Sequence, residues 1–228
     1  MRKNAVTVLL LVSPLLLSAC NSTPPPSTEP AKPATQPRAA VASTPQATGP
    51  QNFDYYLLNL SWSPEFCHSH SNAPECAQRY TFVLHGLWPQ NADGTYPQNC
   101  SNAPGPANPS QYNDIYPDPG LLEHEWKTHG TCSGLSPDAF FTDARTAFRT
   151  VVLPVSLTEL NHQISMPPAQ IIDLFTTANP DIPNTSLAVS CGNNYLTAVE
   201  LCLDKQLHPT ACGPIRSCRA NTVRIPPP

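Results

Sequence analysis

The sequence predicts an α+β fold: a central antiparallel sheet with several helices, cross-linked by disulfides. Three observations lead there. Strand-like and helix-like stretches are mixed without regular alternation, which argues against a repeated βαβ build. Cys20 aside, the chain carries eight cysteines, at 67, 76, 100, 132, 191, 202, 212 and 218, an even set behind an export-type leader. No Cys-x-x-Cys pair is present, which disfavours a zinc ribbon and leaves disulfides.

The elements follow in order. Met1 to Cys20 reads as a signal peptide. Arg2 and Lys3 give a positive start, and an apolar run from Val6 to Leu17 is interrupted by Pro14. Leu17-Ser18-Ala19-Cys20 resembles a bacterial lipobox, whose cysteine is lipidated after cleavage. The run is too short for a spanning helix. Residues 21–51 are a Pro-rich disordered linker, too poor in apolar groups to order itself. Fully extended at about 3.1 Å per residue, it would reach roughly 90 Å at most. The folded domain is placed at 52–222, with 223–228 as a Pro-rich tail. The product is then exported: either a lipoprotein facing the periplasm or cell exterior, touching the membrane only through Cys20, or a secreted protein. A monomer is expected.

Within the domain, Phe53–Trp62 reads as a strand with two fairly apolar faces, as in the centre of a sheet. Tyr80–Leu87 is a second strand, which Gly86 would end or bend. Asn91–Asp118 is loop, rich in Pro, Asn and Gly, with Asp114 and Asp118 as solvated turn residues. Leu121–His129 is helical. Ser136-Pro137-Asp138 starts a further helix running to about Val152, with Phe140, Phe141, Ala144, Ala147, Phe148 and Val151 near one stripe. Pro167–Thr177 is shorter and helical. Leu187–Cys191 and Tyr195–Leu203 form a hairpin around Gly192-Asn193-Asn194. Trp62 and Trp126 belong to the core. His68, His70, His162 and His208 default to surface loops.

Charge narrows the function. Only 12% of residues are charged and the net charge is -4. A protein that tracks long stretches of nucleic-acid backbone is normally basic. A polyanion would have to be held by a small local site. The seven histidines add positive charge as pH falls through roughly 6.5, so activity on the acid side fits.

Two segments carry the chemistry: Phe82-Val83-Leu84-His85-Gly86-Leu87-Trp88-Pro89-Gln90, and Glu123-His124-Glu125-Trp126-Lys127-Thr128-His129-Gly130-Thr131-Cys132. On a helix turning about 100° per residue, His124, Thr128, Glu125 and His129 share one broad face, while Trp126 and Lys127 point elsewhere. The zinc-protease pattern His-Glu-x-x-His fails here. The second histidine comes one residue late, Thr128 holds the required place, and the two imidazoles diverge by about 140°. Two histidines and a carboxylate can instead cleave RNA without metal. One imidazole takes the proton from the ribose 2′-hydroxyl, the other protonates the departing 5′-oxygen, and a third group stabilises the charge between.

These segments resemble the two active-site blocks of the ribonuclease T(2) family of secreted endoribonucleases. Leu60-Ser61-Trp62-Ser63-Pro64 followed by Cys67 resembles the family's first strand region, and Glu200-Leu201-Cys202 fits a late strand. The likeness covers roughly Asp54 to Cys218. It implies single-stranded RNA as substrate, 2′,3′-cyclic phosphate ends, no cleavage of DNA, and neither metal nor cofactor. It implies His85 as proton donor, Glu125 as the group aiding the pentavalent state, His129 as proton acceptor and His124 as phosphate binder. Trp88 matches a residue on which a base stacks. Gln90, near the base site, stands where an Asp is common, and Thr128 where a Lys is usual. The likeness also implies the pairs Cys67–Cys76, Cys100–Cys132, Cys191–Cys218 and Cys202–Cys212, one of 105 pairings open to eight cysteines. The alternative is a noncatalytic RNA-binding or structural envelope lipoprotein on the same fold.

Overall fold

The computed structural model describes residues 52–228; the signal peptide, Cys20 and the linker to residue 51 lie outside the described residues. The elements are β1 (Tyr55–Trp62), α1 (Ser63–Ser69), β2 (Phe82–Gln90), α2 (Pro119–Thr128), α3 (Pro137–Thr150), α4 (Val155–Thr158), β3 (Ile164–Met166), α5 (Pro168–Ala178), β4 (Leu187–Gly192), β5 (Tyr195–Leu203) and β6 (Val223–Ile225). The sheet runs β2-β1-β5-β6-β3, with β4 also paired to β5. It is antiparallel except where Tyr195 of β5 meets Arg224 of β6 in parallel. This is the α+β fold with a central sheet that the sequence predicts.

Side-chain alternation along β1 assigns the two faces of the sheet. Tyr56, Leu58, Leu60 and Trp62 point into the main core with Phe82 and Leu84 of β2. The stripe on α3 (Phe140, Phe141, Ala144, Ala147) and Ile171 and Phe175 of α5 belong to this same core. Ser136 caps α3, accepting a hydrogen bond from the Ala139 amide at 3.3 Å. The opposite face carries Tyr55 and Leu57, backed by Cys202 and Cys212, with Trp88 packed against them. That second face is where the site forms.

The β4–β5 hairpin turns on Asn193 and Asn194, both at positive φ (51° and 62°), the two-residue turn geometry that Asn tolerates. The four disulfides join Cys67 to Cys76, Cys100 to Cys132, Cys191 to Cys218 and Cys202 to Cys212, the pairs that the resemblance implies. Cys100–Cys132 fastens the long loop before α2 to the turn after it.

Two readings gain detail and two need correction. Gly86 marks a bend and not an end of β2: the ladder slips beside it and the strand continues to Gln90. Pro89 is tolerated there because β2 lies at the edge of the sheet. Residues 223–228 are not simply a tail. Val223 and Ile225 are fully buried in the core, and Trp62 donates its indole N–H to the Pro226 carbonyl at 3.1 Å. Asp114 is an exposed turn residue as expected, and it also meets Arg145 at 2.6 Å and Arg149 at 2.8 Å. Asp118 caps α2, accepting a hydrogen bond from the Gly120 amide at 2.8 Å.

Candidate active site

Two elements bring the site together. The β1–β2 ladder slips by one residue: Asn59 faces Gly86 and Leu60 faces Leu84, so His85 has no partner. This β-bulge kinks the strand and re-aims its side chain. The His85 Nδ1 lies 3.0 Å from the Ser61 hydroxyl, and its Nε2 lies 3.7 Å from Glu125 Oε1. The other element is α2. Trp126 anchors it, donating its indole N–H to the Ala103 carbonyl at 2.9 Å and packing on Phe140 with ring centres 5.9 Å apart. Gly130, just past the helix, leaves room for this indole, because a Cβ there would collide with Trp126.

With α2 pinned, Glu125 points at the sheet and is completely buried. Trp88 binds the cluster together. Its indole N–H donates to Glu125 Oε2 at 2.8 Å. Its ring stacks on His129 with centres 5.2 Å apart and an angle of 28°, and meets His85 edge-on at 5.4 Å. His124 meets His129 edge-on at 6.3 Å. Glu125 Oε1 and His129 Nδ1 are buried with no hydrogen-bond partner among the described residues. Unpaired buried polar atoms are rare, and active sites are where they collect.

Burial sets the protonation states. It pushes the Glu125 carboxyl up to about 8, partly offset by the Trp88 hydrogen bond. Burial, then repulsion from His124 and His85, pulls His129 down to about 4. His85 is lowered as well, by burial first and His124 second. An ion pair would move His85 and Glu125 in the opposite directions, so desolvation outweighs their attraction here. In mildly acidic water the site therefore holds a neutral His129, able to accept a proton, beside a neutral carboxylic acid, able to donate a hydrogen bond.

A cleft of about 440 Å³ opens beside this cluster, lined by Leu57, Trp88, Gln90, Tyr96, Gln98, His124, Thr128 and His129. His124, Glu125 and His129 each offer one atom within 4.8 Å of the others, close enough to touch one small cation, although Glu125 Oε2 is already bound by Trp88.

The family profile described as the Ribonuclease T2 family matches residues 53–212. The chain belongs to this family. A ribonuclease of Aeromonas hydrophila is 45% identical over 102 residues, 43% of this chain and 47% of the relative. A probable ribonuclease of Haemophilus influenzae is 31% identical over 179 residues, 70% and 61% of the two chains. Ribonuclease DdI of Dictyostelium discoideum is 30% identical over 194 residues, 72% and 83%. The chain thus spans about half to three-fifths of the length of the first two relatives. Among solved structures, an RNase-related protein from Calystegia sepium aligns with a TM-score of 0.61 at 23% identity, over 76% of this chain and 97% of that one. RNase NT in complex with 5'-AMP aligns with a TM-score of 0.58 at 21% identity, over 78% and 99%. These structural likenesses bear on the fold alone.

Against this Ribonuclease T2 frame, the structure gathers every site residue that the resemblance implies. His85, Glu125 and His129 form the inner cluster; His124, Trp88 and Gln90 flank it at the cleft. Trp88 lines the cleft and also holds Glu125 through its indole N–H. Thr128 lines the cleft, whereas Lys127 is exposed, as the helix angles require. Sequence reasoning missed Tyr96 and Gln98, which line the same cleft. Tyr96 is 54% exposed, and its signal was an aromatic residue isolated in a Pro- and Asn-rich loop.

Proposed function

We propose that this chain is an endoribonuclease that cleaves single-stranded RNA by transesterification, without metal. One observation carries the reading: two imidazoles stand on either side of a buried carboxyl that a tryptophan holds in place. His129 takes the proton of the ribose 2′-hydroxyl, whose oxygen attacks phosphorus. The bond from phosphorus to the 5′-oxygen breaks as His85 protonates that oxygen. A 2′,3′-cyclic phosphate and a free 5′-hydroxyl result. The neutral Glu125 and His124 face the equatorial oxygens, where charge develops. Trp88 and Tyr96 offer aromatic faces to a base, a contact worth about 1–3 kcal/mol.

The pKa shifts set the pH dependence. His129 must be neutral, so kcat/KM rises as pH climbs through about 4. His85 must be protonated, and its value is lowered from 6.5, so kcat/KM falls again at a pH below 6.5. The cluster titrates as a unit, and the two limbs report the unit. A kcat/KM profile on a dinucleotide should therefore be a bell lying on the acid side of pH 6.5; activity still climbing above pH 7 would overturn these assignments.

Thr128 bears on transition-state charge. Its hydroxyl can donate a hydrogen bond but brings no charge, and a neutral bond is roughly half as strong as a charge-assisted one. Thr128→Lys should preserve or raise turnover. Lys127→Ala should cost less than about twofold, because Lys127 faces solvent. Single-turnover rates decide: large losses from both changes would show that Lys127 supplies the charge.

A further inference from the structure

Strand β1 presents Leu57, Asn59 and Ser61 on the face that carries the site. Asn59 is already engaged: its amide donates to Glu200 Oε1 on β5 at 3.3 Å, and Ser190 donates to the same oxygen at 2.9 Å. Ser61 is different. Among the described residues its hydroxyl meets only His85, with Oγ 3.0 Å from Nδ1. Ser61 faces Val83, two residues before His85 on the same face of β2, and His85 itself has no cross-strand partner at the bulge. The far nitrogen of the same ring, Nε2, faces Glu125 Oε1 at 3.7 Å. One edge of the imidazole is thus held by a hydroxyl and the other faces the reacting centre.

We infer that Ser61 is a positioning residue for the reaction, accepting a hydrogen bond from His85 Nδ1–H and so holding the ring with Nε2 aimed at the scissile phosphate. The inference rests on the reading of His85 as proton donor. In the protonated ring both nitrogens carry hydrogen, so only an acceptor can satisfy Nδ1, and the Ser61 oxygen is that acceptor. When Nε2 gives its proton to the 5′-oxygen, the Nδ1–H bond to Ser61 is unchanged. The ring is left as the Nδ1–H tautomer, with a lone pair on Nε2. Nothing has to rotate between protonated and neutral forms. The same ring can then accept a proton at Nε2 when water opens the cyclic phosphate.

The other groups around His85 cannot fill this role. Trp88, on its own strand, meets it edge-on at 5.4 Å and gives its N–H to Glu125. Glu125, on α2, faces Nε2. His124, on α2, repels a proton on the ring, and His129, at the end of α2, is neutral in mildly acidic water. Glu200, on β5, is taken up by Asn59 and Ser190. Ser61 alone favours the protonated form through Nδ1. Its loss should lower the His85 pKa further, by about half to one unit, the worth of one hydrogen bond.

The test compares wild type, Ser61→Ala and Ser61→Thr. Thr keeps the hydroxyl and suits a strand. Imidazole ¹⁵N shifts, with His85 assigned from a His85→Gln spectrum, should show the neutral wild-type ring as the Nδ1–H tautomer. In Ser61→Ala the His85 titration and the basic limb of kcat/KM should both move down by about half to one pH unit, and Ser61→Thr should restore both. An Nε2–H tautomer in the wild type would overturn the inference. So would a Ser61→Ala enzyme whose rate drops uniformly with an unmoved limb and an unmoved titration, because that is a merely structural role. A shifted titration with an unmoved limb would place the failure in His85 as proton donor, and the inference would fall with it.

Discussion

Replacing His85 or His129 by alanine should each lower single-turnover cleavage of a dinucleotide by at least about a hundredfold, the lower end of what one acid–base group supplies. The two losses should not multiply. Proton removal from the 2′-hydroxyl and proton delivery to the 5′-oxygen belong to one displacement, so the double variant should fall only modestly below either single one. Neither change should unfold the protein. Both rings stand at the rim of the cluster with part of their surface open to water, and the main core lies on the other face of the sheet. A variant with an unchanged melting curve and a near-wild-type rate would remove that histidine from the mechanism.

Gly86→Ala should be almost as damaging, although Gly86 has no side chain to do chemistry. A Cβ at Gly86 would run into the Glu125 carboxyl and the Trp88 indole nitrogen, the two partners of the hydrogen bond at the centre of the site. Both are packed, and Glu125 is completely buried, so neither can step aside freely. Overpacking of this kind costs about 1–3 kcal/mol, and separating the pair leaves a buried acid unsatisfied. Cleavage should fall at least about tenfold, since about 1.4 kcal/mol of lost transition-state stabilisation already gives that. The melting temperature should fall with it. Trp88→Phe, which removes only the donor and keeps the ring stack on His129, should lie between Gly86→Ala and wild type. Wild-type activity in Gly86→Ala would show that the Trp88–Glu125 bond does not support catalysis.

The inner cluster was legible because it lies in two contiguous blocks. His124, Glu125 and Thr128 share a helix that His129 caps, and helix geometry alone brings them to one side. The α3 stripe and the Asn193-Asn194 turn were legible for the same reason: each is a local pattern. What was hidden depends on partners distant in the chain. The bulge that aims His85 is a mismatch in register between β1 and β2, and neither strand records it alone. Gly86 reads only as a point where the strand ends or bends, because the room it leaves for Glu125 depends on a helix some forty residues later. Val223-Arg224-Ile225 read as tail because three residues before a proline run carry too little periodicity to mark a strand. Asp114 is the solvated turn residue it reads as, but its arginine partners on α3 lie distant in the chain, and Asp118 caps a helix whose start lies two residues before the predicted one. Trp88 was assigned to a base, and only the folded site shows its N–H committed to Glu125.

The central claim is that the substrate's own 2′-hydroxyl is the nucleophile and that these side chains alone move the protons. An RNA oligonucleotide with one 2′-deoxy nucleotide at a defined step, incubated with the enzyme in excess chelator at pH 5, tests it directly. Cleavage should proceed at the ribose steps, leave 2′,3′-cyclic phosphate ends, and stop completely at the deoxy step. Cleavage at the deoxy step, or loss of all cleavage when the chelator is added, would contradict it.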